Sequence, residues 1–247
     1  MSKNFQIYSK YYNLLYGDKD YKAETNYVAT RLRTFAPKAK SILEFGSGTG
    51  GHGLLLQKRG YHVFGLDKSG YMAAEAKKRG LECRVADISD FKLKEKYDAV
   101  ISLFHVISYL TDNQDLVATF LNADKQLHKN GVFLFDVWYS PAVYAQKALP
   151  RVKKMRNKEI AITRFTKPKV YINLNVIDVK FTVLVKDLHS GKSSTLSENH
   201  PMRHFSIPEI GLLAEFTGFT LLRAEEFLTG KEPSSKTWGV CFILKKV

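Results

Sequence analysis

Two hydrophobic periods divide the chain. From Ser41 to Asp136, short continuous apolar runs alternate with amphipathic stripes. Ser41-Ile-Leu-Glu-Phe45, Tyr61–Leu66, Leu81–Ala86, Tyr97–Phe104 and Gly131–Asp136 have the length and apolar continuity of strands buried on both faces. Between them, Leu54–Arg59, Ser69–Arg79 and Leu116–Leu127 place apolar residues at helical spacing, with Gly60 and Gly80 as stops. Ser69 is an expected N-cap, and Thr111-Asp-Asn-Gln114 and Ser206-Ile-Pro-Glu209 have capping-box spacing. Repeated strand–helix–strand units predict a doubly wound α/β sheet. The last two strands, Phe219–Leu228 and Trp238–Lys245, are joined by a short segment without a helix and should pair antiparallel.

The rhythm changes twice. Residues 1–35 are tyrosine-rich with a helical stripe (Tyr8, Tyr11, Tyr12, Leu15, Tyr16, Tyr21, Val28, Leu32), broken at Gly17-Asp18, and are expected to form a helical lid. Residues 137–205 switch to period two. Val170, Ile172, Leu174 and Val176 alternate in one phase, and Val179, Phe181, Val183 and Val185 in the other. A bulge or a change of strand near Asp178 is expected, with a hairpin turn at His189-Ser-Gly-Lys192. The domain expectation is a lid over 1–35, a core domain over 36–136 and 206–247, and an inserted antiparallel β layer over 137–205.

Composition adds little to this picture and charge adds more. The chain has 247 residues, with 38 Lys and Arg against 24 Asp and Glu, a net charge of +14. That balance suits an anionic partner. The basic residues look spread along the chain, densest at Arg151, Lys153, Lys154, Arg156 and Lys158. Cys83 and Cys241 lie in or beside apolar runs, as reduced core residues do. No apolar run has membrane-spanning length, and Met1-Ser-Lys-Asn-Phe-Gln lacks the apolar stretch of a secretory signal. A cytoplasmic protein is expected. The seven histidines and two cysteines show no metal-ligand spacing, so no metal is expected.

Candidate chemistry begins at Glu44-Phe-Gly-Ser-Gly-Thr-Gly50. Gly46, Gly48 and Gly50 let a ligand approach bare backbone, and the loop opens into a helix. The same loop satisfies the dinucleotide pattern GxGxxG, and Asp67 after the second strand suits a ribose in either case. Glu44 inside the first strand, Asp87-Ile88 after the third and the terminal hairpin depart from the nicotinamide pattern.

With these residues the sequence resembles the class I S-adenosylmethionine-dependent methyltransferases. The resemblance implies a Rossmann-like fold with S-adenosylmethionine as cofactor. It implies a donor site built from Tyr21, Glu44, Gly46, Ser47, Gly48, Gly50, Asp67, Lys68, Met72, Asp87, Ile88, Leu103 and Phe104. A narrower likeness rests on Tyr12–Tyr21, Leu103–Leu110 and Glu198-Asn-His200 with Arg203-His204-Phe205. These look similar to bacterial N-methyltransferases of nucleotide-linked amino sugars. That likeness implies a dTDP-type amino sugar as small-molecule acceptor, an inserted layer that holds substrate and forms a homodimer, and no nucleic acid or membrane partner. His105, Tyr109 and Tyr12 are its expected catalytic residues; Tyr16, Trp138, His200 and Arg203 are its expected substrate contacts.

Each residue has a plainer role beside that one. His105 after strand four could be a base or a packing histidine, and the tyrosines could serve packing alone. An RNA methyltransferase also suits the charge, but no RNA-binding module or Asn/Asp-Pro-Pro-aromatic segment follows strand four, where Ser102-Leu-Phe-His105 stands. An O-methyltransferase of a small metabolite, a non-catalytic donor-binding subunit and a nicotinamide oxidoreductase complete the alternatives.

Overall fold

The computed structural model describes Tyr11 and residues 14–247. The chain divides into two compact units. The larger comprises Asp20–Gln146 with His204–Val247; the smaller comprises Lys147–Arg203 with the described residues before Asp20.

The larger unit is the doubly wound sheet. Strands β1 (Ser41–Phe45), β2 (His62–Asp67), β3 (Glu82–Val85), β4 (Tyr97–Ser102) and β5 (Leu127–Tyr139) run parallel in the order β3-β2-β1-β4-β5. Their apolar runs are buried because helices cover both faces. These helices are α1 (Tyr21–Phe35), α2 (Gly51–Gln57), α3 (Gly70–Lys78) and α4 (Asn113–Gln126). One core holds Phe45, Phe120, Phe133, Phe135, Phe219 and Phe242. The other holds Val28, Leu32, Leu56, Val63 and Ile243. A short helix α5 (Ser140–Ala145) follows β5, and α6 (Ile207–Phe216) precedes the terminal hairpin. Strand β10 (Phe219–Glu226) pairs antiparallel with β11 (Gly239–Lys246), which pairs antiparallel with β5.

The smaller unit is an antiparallel sheet of β6 (Arg151–Arg156), β7 (Ile160–Tyr171), β8 (Val176–Asp187) and β9, which runs from Ser193 to Phe205. Leu15, Ile162, Val183 and Val185 form its apolar core. The last two residues of β9, His204 and Phe205, belong to the larger unit and pair with Trp138 and Tyr139 of β5.

Several local expectations change. Ile172 and Leu174 do not continue a strand. They occupy a 3-10 turn ended by Asn175 at φ 53°, and both are mostly exposed. Their alternation therefore marks a hairpin tip, and the phase switch is a change of strand at Asn175 rather than at Asp178. The cap of α4 is Asp112, whose carboxylate accepts from the Gln114 amide at 2.7 Å, in place of Thr111. Ser69 and Ser206 cap α3 and α6 as expected. Cys83 and Cys241 are buried free thiols. Among the described residues no helix is long and apolar enough to cross a membrane.

The charge is not spread. Residues 147–203 contain thirteen Lys and Arg against four Asp and Glu, a net +9, whereas residues 20–146 and 204–247 together carry +3. The β layer is the basic part of the molecule.

Candidate active site

The glycine loop is stretched between β1 and α2. Gly46, Gly48 and Gly50 all have positive φ, at 68°, 56° and 81°, where a side chain is strained. The Gly46 and Ser47 amides donate to Leu66 O at 2.8 and 3.0 Å, which ties the loop to β2. A Cβ at Gly46 would lie 2.5 Å from a Val106 methyl, whereas nothing lies within 4 Å of a Cβ at Gly48. The loop is packed on one side and open at Gly48, as a backbone cradle for a ligand requires.

Asp67 closes the base of this cradle. One carboxylate oxygen accepts from the Gly48 amide and the other from the Ser69 amide, both at 2.8 Å. Burial pushes its carboxyl up, against these two donors. Lys68 forms an ion pair with Asp87, which also accepts from the amide and hydroxyl of Ser89. Burial raises the Asp87 carboxyl, but the Lys68 ammonium and the Ser89 donors outweigh it and hold it below its usual value.

Glu44 is fully buried in β1. Its Oε1 lies 3.7 Å from His52 Nδ1, and His52 Nε2 contacts Glu24 at 2.6 Å. Its Oε2 has no hydrogen-bond partner. Burial, with repulsion from Asp67, pushes the Glu44 carboxyl up to about 8, opposed by the Gly53 amide. Glu44 therefore braces the start of α2, with its Oε2 against Gly53. Tyr21 packs on the same helix start: its ring is 4.9 Å from His52 and would collide with any side chain at Gly51.

Beyond β4 the backbone is strained. Phe104 and His105 have φ 66° and 60° in succession. Such non-glycine residues cost on the order of 1–3 kcal/mol each and cluster at functional sites. Asp136, on neighbouring β5, holds this corner. Its Oδ1 accepts from the His105 amide at 3.3 Å, and its Oδ2 lies 2.7 Å from His105 Nδ1. The ring is not aligned for a straight hydrogen bond to that oxygen. Asp136 is 1 % exposed and the His105 side chain 23 %. Trp138 sits 6.0 Å from the His105 ring and is edge-on to Trp238.

The larger unit thus brings together Tyr21, Glu44, the loop glycines, Asp67, Lys68, Asp87, Phe104, His105, Tyr109 and Trp138 along the carboxyl edge of the parallel strands, where ligands bind in open α/β sheets. Tyr109 is half exposed at the end of a 3-10 turn, Val106–Tyr109. Met72, Ile88 and Leu103 are buried apolar residues. The Ser47 side chain is buried, 3.3 Å from Cys83 Sγ and against Gly65. Tyr16, His200 and Arg203 lie in the smaller unit. There Arg164 stacks over Tyr16, and His200 is buried 3.1 Å from Glu198. Tyr12 lies outside the described residues. Sequence reasoning missed Asp136, although it ends the apolar run of β5 as Asp67 ends that of β2.

Comparison with known proteins decides the fold. Residues 42–131 match the family model of the methyltransferase domain. The chain is 33 % identical over 138 residues to the dTDP-3-amino-3,4,6-trideoxy-alpha-D-glucopyranose N,N-dimethyltransferase of Streptomyces venezuelae, covering 54 % of this chain and 58 % of that protein. The chain thus spans little more than half the length of that relative. The crystal structure of Streptomyces venezuelae DesVI superposes over all of both chains, with a TM-score of 0.81 and 23 % identity. CalS10 from Micromonospora echinaspora, an amino pentose methyltransferase solved with bound S-adenosylmethionine, gives a TM-score of 0.79 at 24 % identity over 100 % of this chain and 99 % of that one. The fold is that of these methyltransferase structures. The open side of Gly48 would admit a ligand such as the S-adenosylmethionine bound in CalS10.

Proposed function

We propose that this chain is an S-adenosylmethionine-dependent N-methyltransferase acting on the amino group of a nucleotide-linked, dTDP-type amino sugar. The observation that carries the acceptor class is the segregation of charge: +9 of the net +14 lies in residues 147–203, which suits a diphosphate. The N,N-dimethyltransferase named in the S. venezuelae relative supports the amine.

The donor residues divide the work. The glycine loop and Glu44 would take the amino-acid end of the donor, Asp67 its ribose, and Asp87 with the Ile88 amide its adenine. Tyr21, Lys68, Met72, Leu103 and Phe104 would line that site. Bound there, S-adenosylmethionine supplies a methyl group already activated on a sulfonium. The protein then contributes mainly position and orientation, worth about 7–11 kcal/mol in well-oriented systems. His105, Tyr109 and Tyr12 would meet the acceptor amine; Tyr16, Trp138, His200 and Arg203 would hold the rest of the acceptor, Arg203 as a phosphate partner. The inserted layer is also the proposed dimer surface.

One observation favours RNA as a second acceptor. Lys154, Phe165, Lys167, Lys180 and Lys186 share an exposed face of the smaller unit's sheet, a combination of cations and an aromatic that suits single strands. A methyl-transfer screen across dTDP-amino sugars, simple amines, phosphorylated metabolites and RNA separates the two. Transfer to the amino-sugar nucleotides supports the proposal. Transfer to RNA alone overturns it.

A further inference from the structure

We infer that Asp136 is a positioning residue that makes His105 the proton acceptor of the reaction, with Nδ1 protonated toward the carboxylate and Nε2 presented to the acceptor nitrogen. This rests on the amine-methylating reading above. The motivation is geometric. One carboxylate contacts both the His105 amide, through Oδ1, and the His105 ring, through Oδ2. The two contacts fix a residue whose backbone is in the left-handed region together with its predecessor. A packing histidine needs neither a strained backbone nor a nearly inaccessible carboxylate at one ring nitrogen. Neutral imidazole has one donor and one acceptor nitrogen, and a carboxylate at Nδ1 selects which is which. The ring centroid is 5.9 Å from that of Phe104 and 6.0 Å from that of Trp138, and a Cβ at Gly239 would lie 3.6 Å from its Cε1. Catalytic contacts in free enzymes are often poorly aligned and tighten in the complex.

The step balances as follows. The lone pair of the neutral amine forms the new C–N bond as the C–S bond of the sulfonium breaks, leaving that electron pair on sulfur. The product nitrogen is then a cation. Its N–H proton passes to His105 Nε2, giving an imidazolium that Asp136 stabilises, and from there to solvent. The released neutral amine can enter a second round.

Two measurements test this. The first is ¹⁵N NMR of imidazole-labelled protein without ligands, assigned with His105→Gln. Neutral His105 should show the Nδ1–H tautomer, and Asp136→Asn should shift the population toward Nε2–H. An Nε2–H tautomer in the unmodified protein overturns the inference whatever the acceptor proves to be. The second is kinetics with the amino-sugar nucleotide. Asp136→Asn and His105→Gln should each lower kcat about tenfold or more, with KM and the affinity for S-adenosylhomocysteine within about twofold. The double variant should lose little more than either single one, because the two residues act as a unit. Full kcat in Asp136→Asn, or losses that multiply in the double variant, also overturns it. Should the protein methylate no amino-sugar nucleotide at all, the acceptor reading fails while the tautomer measurement still decides the dyad.

Discussion

Replacing either of two loop glycines by alanine adds the same methyl group to the same left-handed backbone, yet the structure assigns the two substitutions different consequences. At Gly46, φ is 68° and the new Cβ would sit 2.5 and 2.7 Å from the two methyls of Val106. The conformational cost is about 1–2 kcal/mol. Val106 is a short, branched side chain on the turn beside His105, so relief requires that turn to move, at a further ~1–3 kcal/mol. Gly46→Ala should therefore lose about 2–5 kcal/mol of unfolding free energy. Gly48→Ala meets nothing within 4 Å at φ 56° and should lose only about 1–2 kcal/mol. Its methyl instead occupies the space assigned to the donor. Urea unfolding gives the first comparison, and calorimetry with S-adenosylhomocysteine the second. Gly48→Ala should weaken binding by about tenfold or more, equivalent to about 1.4 kcal/mol. Val106→Ala should recover part of the stability lost in Gly46→Ala and none lost in Gly48→Ala. Equal destabilisation at the two glycines would refute the packing argument. Unchanged affinity in Gly48→Ala would show that the donor does not lie on the open side.

Three more outcomes are expected. Asp67→Ala should abolish calorimetric binding of S-adenosylhomocysteine while far-ultraviolet circular dichroism stays native; full affinity would remove the ribose assignment. Glu44 has its carboxyl raised from 4.5 to about 8, so its native state binds the proton more tightly than its unfolded state. Its contribution to stability is then present below about pH 4.5 and is lost as pH rises toward 8. Glu44→Gln should gain stability relative to the parent between those values, and parallel urea profiles at pH 5.5 and 8 would contradict the burial argument. Tyr27 donates to Glu225 at 2.6 Å, beside the Arg31 ion pair with the same carboxylate. Tyr27→Phe should cost about 1.5–3 kcal/mol, measured by chemical unfolding, and no loss would show that Arg31 and Arg223 suffice for Glu225.

The parallel sheet was legible because its signal is local. A buried strand must be apolar on both faces, and Val63–Leu66, Ala99–Ile101 and Val132–Phe135 are. The donor loop was legible for the same reason, since positive φ demands glycine at Gly46, Gly48 and Gly50. Elsewhere the determining interaction is remote in sequence. Ile172 and Leu174 keep the spacing of a strand, but Asn175 reverses the chain and both face outward. Helix α5 has only six residues, too few for a period. The direction of the Ser47 side chain depends on Gly65 and Cys83. Asp136 carries no motif. Its role emerges only when β4 and β5 lie side by side, 31 residues apart along the chain from His105.

The paired left-handed residues Phe104 and His105 also place this site at odds with selection for robustness. Glycine populates that region without the steric penalty a side chain meets, so exchanging His105 for glycine relaxes the corner while discarding the imidazole. A campaign that ranked variants by melting temperature alone would be drawn toward that exchange and would enrich well-folded donor binders that turn over poorly. Screening for heat tolerance and for methyl transfer in parallel would expose the antagonism as a single codon on which the two rankings disagree.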